Sequence, residues 1–153
     1  MLKEGDKAPA FNLADQDGNK HKLSDYKGKW VVLFAYPRAN TSGCTKEAIA
    51  FTGLVKKFEK SGAVVLGISP DAPAKLAKFR DKHDLGFTLL SDPDHAVADA
   101  YGVWGEKSMY GKKYFGIIRS AFLVDESGKI SHAWPKISPK DTPKNLLKAL
   151  AEG

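Results

Sequence analysis

The sequence predicts an α/β fold, a mixed central β-sheet flanked by helices, and three observations carry that prediction. Trp30 to Tyr36 (WVVLFAY) and Ala63 to Ile68 (AVVLGI) are continuous apolar, β-rich runs, the pattern of strands buried on both faces. Stretches of helical periodicity follow each of them, and strand–helix alternation builds a layered α/β domain. Ser120 to Val124 and Lys129 to Trp134 are joined by the tight turn Asp125-Glu-Ser-Gly128, so that pair must be antiparallel.

The remaining elements follow in order. Phe11-Asn-Leu13 and His21-Lys-Leu23 flank the turn-forming Asp15-Gln-Asp-Gly-Asn19, which predicts an N-terminal hairpin. Pro37 ends the first apolar strand, and turn formers lead from Arg38 to Gly43. A long helix then places Ala48, Phe51, Leu54, Val55 and Phe58 on one face and Lys56, Lys57, Glu59 and Lys60 on the other. Ser61-Gly62 stops it. Ser69-Pro-Asp-Ala-Pro73 opens a second helix reaching about His83, Phe87 to Leu90 is a short strand, and Asp92-Pro-Asp94 starts a short helix toward Tyr101. A Gly-rich loop precedes Ser120, and Asp141-Thr-Pro143 opens a last helix with Leu146, Leu147 and Leu150 facing inward.

No repeat, low-complexity tract or long linker breaks the chain, so residues 1–153 are expected to form one domain. Hydrophobic residues make up 42% and charged residues 27%, enough for a core and unlike a disordered chain. The net charge of +6 comes from lysines dispersed among acidic residues, with no arginine-rich block, so nucleic-acid binding is not expected. The longest apolar run is far shorter than the roughly 20 residues of a membrane span. Met1-Leu-Lys-Glu-Gly-Asp6 has no apolar leader core. The expectation is a soluble, cytoplasmic protein without a membrane partner.

Chemistry is concentrated on one thiol. The chain holds a single cysteine, Cys44, which excludes an intramolecular disulfide, a Cys-x-x-Cys redox pair and a cysteine-rich zinc site. Cys44 falls at the first turn of the long helix, where unpaired backbone N–H groups and the positive end of the helix dipole favour a thiolate over a thiol. A small buried hydrophobe is the plainer role for such a residue. The flanks argue otherwise, in the spacing Pro37-x-x-x-Thr41-x-x-Cys44. A hydroxyl three residues upstream can both donate and accept beside the sulfur, and the proline fixes the loop without adding a donor.

Pro37-Arg-Ala-Asn-Thr41-Ser-Gly-Cys44-Thr-Lys-Glu47 resembles the active-site loop of peroxiredoxins, and specifically the bacterioferritin comigratory protein, or peroxiredoxin Q, subfamily. Gly5-Asp6-Lys7-Ala8-Pro9-Ala10-Phe11, Leu89-Leu-Ser-Asp92, Tyr101-Gly-Val-Trp-Gly-Glu-Lys107 and Gly116-Ile-Ile-Arg119-Ser120 are similar to that subfamily too. The resemblance implies a thioredoxin-like fold with an N-terminal hairpin extension, and a thiol peroxidase with no dissociable cofactor and no metal. It implies that Cys44 attacks the peroxide and becomes a sulfenic acid. By the same resemblance Arg119 lies against thiolate and peroxide, Thr41 orients the peroxide, Pro37 shields the thiolate, and backbone amides near Gly43 and Cys44 hold its oxygens. Arg38, at a variable position of the motif, is expected to be exposed.

The chain departs from the subfamily in its second thiol. Where many members carry a resolving cysteine five residues on, Ile49 stands here, and the alternative place, around Phe79-Arg80, has none. Ser42 replaces a proline common before the glycine. An external thiol (thioredoxin, glutaredoxin or glutathione) is therefore expected to reduce the sulfenic acid, in a one-cysteine cycle, and the protein is expected to be a monomer. Rival readings are weaker. A thioredoxin-type oxidoreductase lacks its second cysteine, and a binding or chaperone module has only the +6 charge behind it. A cysteine hydrolase needs a base from His21, His83, His95 or His132, none of which lies in a recognisable motif. Asp92-Pro-Asp-His95 resembles a metal cluster less than a helix cap.

Overall fold

The computed structural model describes residues 2–39, 41–134 and 137–152. The chain runs through β1 (Asn12–Asp15), β2 (Lys20–Lys22), a 3-10 turn (Leu23–Tyr26), β3 (Trp30–Ala35) and α1 (Ser42–Lys60). It continues through β4 (Ala63–Ser69), α2 (Pro73–His83), β5 (Thr88–Ser91) and α3 (Ala96–Ala100). A hairpin of β6 (Trp104–Met109) and β7 (Lys112–Ile117) precedes β8 (Ser120–Val124), β9 (Ile130–Trp134) and α4 (Thr142–Glu152).

Seven strands form one mixed sheet in the order β2-β1-β5-β4-β3-β8-β9. The β3–β4 and β4–β5 pairs are parallel, because a helix crosses between each, whereas β3–β8, β8–β9, β1–β2 and β1–β5 are antiparallel. The alternation of strand side chains divides the core. Val32, Phe34 and Tyr36 face one layer with Phe51 and Phe58 of α1, Leu76 and Phe79 of α2, and Leu146 of α4. Val31, Leu33 and Ala35 face the other, closed by Ala98 of α3, Tyr101, Phe11 and Ile117. The expected α/β class, the N-terminal hairpin, the antiparallel β8–β9 pair and helices on both faces are all present.

One expected loop is a hairpin instead. The Gly-rich stretch before Ser120 forms β6 and β7, paired from Trp104↔Ile117 to Met109↔Lys112. Tyr110 and Gly111, both at positive φ (53° and 78°), make the two-residue turn that suits strand twist. Four successive exposed residues, Lys112 to Phe115, conceal the strand, since nothing in β7 before Gly116 is buried.

The sheet fixes where the ends of elements meet. Ala35 pairs with Ile68 on one side and Ser120 on the other, and Ser69 pairs with Ser91. The exits of β3, β4 and β5 and the entrance of β8 therefore share one edge of the sheet. Residues 36–44, the Pro70–Ala72 turn and Arg119 converge there.

Candidate active site

Pro37 lies two residues after β3, behind Tyr36, and is half-buried, its φ set by the ring and with no N–H to offer. Arg38 is exposed, as expected. Asn40, inside the motif, lies outside the described residues. Thr41 is the N-cap residue of α1, in extended backbone, yet its side chain makes no cap hydrogen bond. Its hydroxyl donates instead to the Arg38 carbonyl at 2.8 Å, which leaves the oxygen lone pairs as acceptors. Thr45 N–H donates to Thr41 O at 2.8 Å, the first i→i−4 bond described for α1. The amides of Ser42, Gly43 and Cys44 precede it, the region where a helix offers N–H groups without intrahelical acceptors.

Cys44 is 1% exposed, and Arg119 Nη2 donates to its Sγ at 3.1 Å. A guanidinium has donors only, so the sulfur is the acceptor of that bond. The loop residue Arg119 reaches it because Ser120, the next residue, pairs with Ala35 at the end of β3. Its Nη1 donates to Glu47 Oε1 at 2.6 Å. Thiol, guanidinium and carboxylate thus form a chain, with Cys44 and Glu47 three residues apart on one face of α1.

Glu47 is the functional candidate that motif reading passed over. It is fully buried, and burial pushes its carboxyl up to about 7, against the pull of Arg119. The Thr142 hydroxyl donates to Ser138 O, and Glu47 Oε2 has no hydrogen-bond partner among the described residues. The i+3 spacing from the cysteine was the available signal. Lys107 is a second such residue. Its Nζ donates to Ile117 O at 2.8 Å, and burial together with the charge of Arg119 holds it below the ordinary lysine range, with Cys44 pulling the other way.

Pro37 and Thr41 line a cavity of about 720 Å³ with Pro70, Lys107, Tyr114 and Phe115. The unexpected hairpin therefore supplies one wall of the site. A separate, apolar hollow of about 600 Å³ near Tyr26 and Val124 lies among other residues and shares none with it.

The four histidines are occupied elsewhere. His21 bonds Asp15 and Tyr26, His83 meets Phe79 edge-on, His95 bonds Asp99 and stacks on Trp104, and His132 bonds Ser131. Asp92 accepts the amides of Val97 and Ala98, so the Asp92–His95 cluster does cap α3. Among the described residues no cluster of three or more His, Cys, Asp or Glu could hold a metal ion. No described helix is long and apolar enough to cross a membrane. Ile49 is 50% exposed on the outer face of α1.

Residues 4–133 match the AhpC/TSA family. The chain is a peroxiredoxin. It is 50% identical over 151 residues to peroxiredoxin Bcp of Escherichia coli, covering 99% of this chain and 97% of that one. A putative peroxiredoxin of Mycobacterium tuberculosis is 56% identical over 129 residues, 84% of this chain and 82% of the relative. Among solved structures, a cysteine-to-serine mutant of peroxiredoxin Q from Xylella fastidiosa superposes with a TM-score of 0.91 at 33% identity, covering 99% of this chain and 98% of that one. The bacterioferritin comigratory protein of Xanthomonas campestris gives 0.88 at 36%, over 93% and 90%. This peroxiredoxin accordingly has the thioredoxin-like fold of its neighbours and is a thiol-dependent peroxidase, an oxidoreductase that takes a hydroperoxide and a thiol reductant. It has one cysteine.

Proposed function

We propose that this peroxiredoxin, 1–153 acting as a single domain and a monomer in the cytoplasm, reduces hydrogen peroxide and organic hydroperoxides by a one-cysteine cycle. The observation that carries the reading is the 3.1 Å hydrogen bond from Arg119 Nη2 to Cys44 Sγ, beside a cavity walled by Pro37 and Thr41. No metal or dissociable cofactor enters the cycle.

The Cys44 thiolate attacks the terminal peroxide oxygen in line with the O–O bond. The S–O bond forms as the O–O bond breaks, and the departing oxygen takes a proton to leave as water or an alcohol. Sulfur is oxidised to sulfenic acid and the peroxide is reduced. Thr41 accepts the peroxide O–H through its free lone pairs, and Arg119 and the helix amides stabilise charge developing on oxygen. Pro37 shields the sulfur from competing donors. With no second cysteine, an external thiol attacks the sulfenic sulfur and water leaves. A second thiol then attacks the mixed disulfide and frees Cys44.

Mass spectrometry after one equivalent of peroxide tests this. The expected product is a monomer heavier by one oxygen, absent in Cys44→Ser. A rapidly formed, stoichiometric Cys44–Cys44 dimer would overturn the one-cysteine cycle. Absence of turnover with thioredoxin, glutaredoxin and glutathione alike would overturn the enzyme reading.

A further inference from the structure

The cavity beside Cys44 is more cationic than its peroxide chemistry requires. A hydroperoxide is neutral near pH 7, and Arg119 alone serves the thiolate. Yet Arg38, Lys75 and Lys107 also line the 720 Å³ cavity, and an adjoining hollow of about 280 Å³ shares Arg38 and Lys75 and adds Lys78. None of these four makes an ion pair among the described residues. The one carboxylate in both linings, Asp71, is nearly buried, and its Oδ2 accepts from Ala39 N at 2.7 Å and Ser69 Oγ at 2.9 Å. It fixes the loop rather than neutralising the lysines. Arg38, Lys75 and Lys78 thus make a continuous positive groove that runs from Thr41 along the first turns of α2.

We propose that this groove docks a low-molecular-weight thiol bearing carboxylates, which resolves the Cys44 sulfenic acid. The inference rests on the peroxidase reading above and names the reductant of the same site by its charge. Its logic lies in the order of the cycle. Before oxidation the site holds a thiolate, which repels anions. Afterwards the sulfenic acid is neutral, and the groove draws in the one reactant that must arrive as an anion, the attacking thiolate. Low molecular weight follows from depth. Cys44 is 1% exposed, and the cavity next to its loop is lined by Pro37, Arg38, Thr41 and the β6–β7 hairpin, so a small thiol reaches the sulfur where a cysteine on a protein surface does not. The thiol forms a disulfide with Cys44 as the S–O bond breaks and water leaves. A second equivalent attacks the outer sulfur, giving the oxidised small disulfide and the Cys44 thiolate.

The test compares mercaptosuccinate, 2-mercaptoethanol and cysteamine as reductants of singly oxidised protein, with rates corrected to thiolate concentration, at low and high salt. The expected result is that mercaptosuccinate reacts about tenfold or more faster than 2-mercaptoethanol at low salt, with cysteamine slowest. That advantage should shrink in high salt and collapse in Lys75→Glu/Lys78→Glu. A second arm uses Cys44 capped with a methylthio group by methyl methanethiosulfonate, and follows its removal by the same thiols. Charge-blind rates in either arm, or a protein dithiol that outruns mercaptosuccinate at equal concentration, would overturn the inference. Because the methylthio arm involves no peroxide, failure of Cys44 to oxidise would count against the peroxidase reading alone and leave this comparison intact.

Discussion

Gly43 and Arg119 approach so closely that a Cβ built on the glycine would lie 3.3 Å from the guanidinium Nη2, with Pro139 Cγ equally near on another side. That guanidinium is held by Glu47 and Cys44, so it has little freedom to give way. Gly43→Ala should therefore separate stability from catalysis. Alanine suits a helix better by up to about 1 kcal/mol, so urea unfolding should change little or improve. Cys44 oxidation by peroxide should slow at least severalfold as Arg119 is displaced. An unchanged oxidation rate would show that the arginine can shift at no cost.

Glu47 should give the protein a pH-dependent stability. Burial raises its carboxyl in the folded state to about 7 from an unfolded value of 4.5. The folded state then binds more proton between those values, so this group's contribution is fully present below pH 4.5 and lost as pH rises through about 7. Denaturation of the wild type and Glu47→Gln across roughly pH 5–8 should show that decline only in the wild type. Glu47→Gln should also slow peroxide reduction by loosening Arg119. A decline of equal slope in the variant would assign it to another group.

Thr41 is tested by removing the hydroxyl and keeping the shape. Its side chain does not cap α1, so Thr41→Val should cost less than about 1 kcal/mol of stability. Loss of the peroxide contact should lower the second-order rate with hydrogen peroxide by roughly 10²–10³-fold. Thr41→Ser should keep most activity, and equal rates for the two variants would remove the hydroxyl from the mechanism.

The N-terminal hairpin has its own clamp, far from the thiol. His21 Nε2 bonds Asp15 Oδ2 at 2.7 Å and Nδ1 meets the Tyr26 hydroxyl at 2.6 Å. Burial works to raise Asp15, but the His21 bond and the amides of Asp17 and Asn19 prevail and hold it below the usual aspartate value. Its contribution is present above that value and lost as pH falls through the lowered one. His21→Ala should cost about 1–2 kcal/mol near pH 7 and leave Cys44 oxidation unaffected. A matching loss of peroxidase rate would tie the hairpin to the site.

The parts of the site that were legible in sequence lie on one short loop. Pro37, Thr41 and Cys44 stand within eight residues, and local chemistry relates them. Arg119 could be assigned only by family resemblance, since its place depends on Ser120 pairing with Ala35 across the sheet. Glu47 sits on a lysine-rich helix, where a glutamate ordinarily faces water. Only the packing of α1 against the sheet and α4, with Arg119 beside it, makes it a buried partner. The β6–β7 hairpin was illegible for a related reason. Its strand character comes from cross-strand pairing and a positive-φ tyrosine, which no alternation of buried and exposed residues announces.

That hairpin is a two-stranded sheet of its own, so each strand has an edge without a partner in the central sheet. Such edges invite a strand from another molecule to add on. Lys112 and Lys113 line the exposed strand, and Lys113 pairs across it with Glu106 at 3.6 Å. Approaching a second copy in register would bring lysine against lysine. The segment that lines the cavity beside Pro37 and Thr41 thus also carries charge that disfavours strand addition by a second copy, beside the exposed rings of Tyr110, Tyr114 and Phe115.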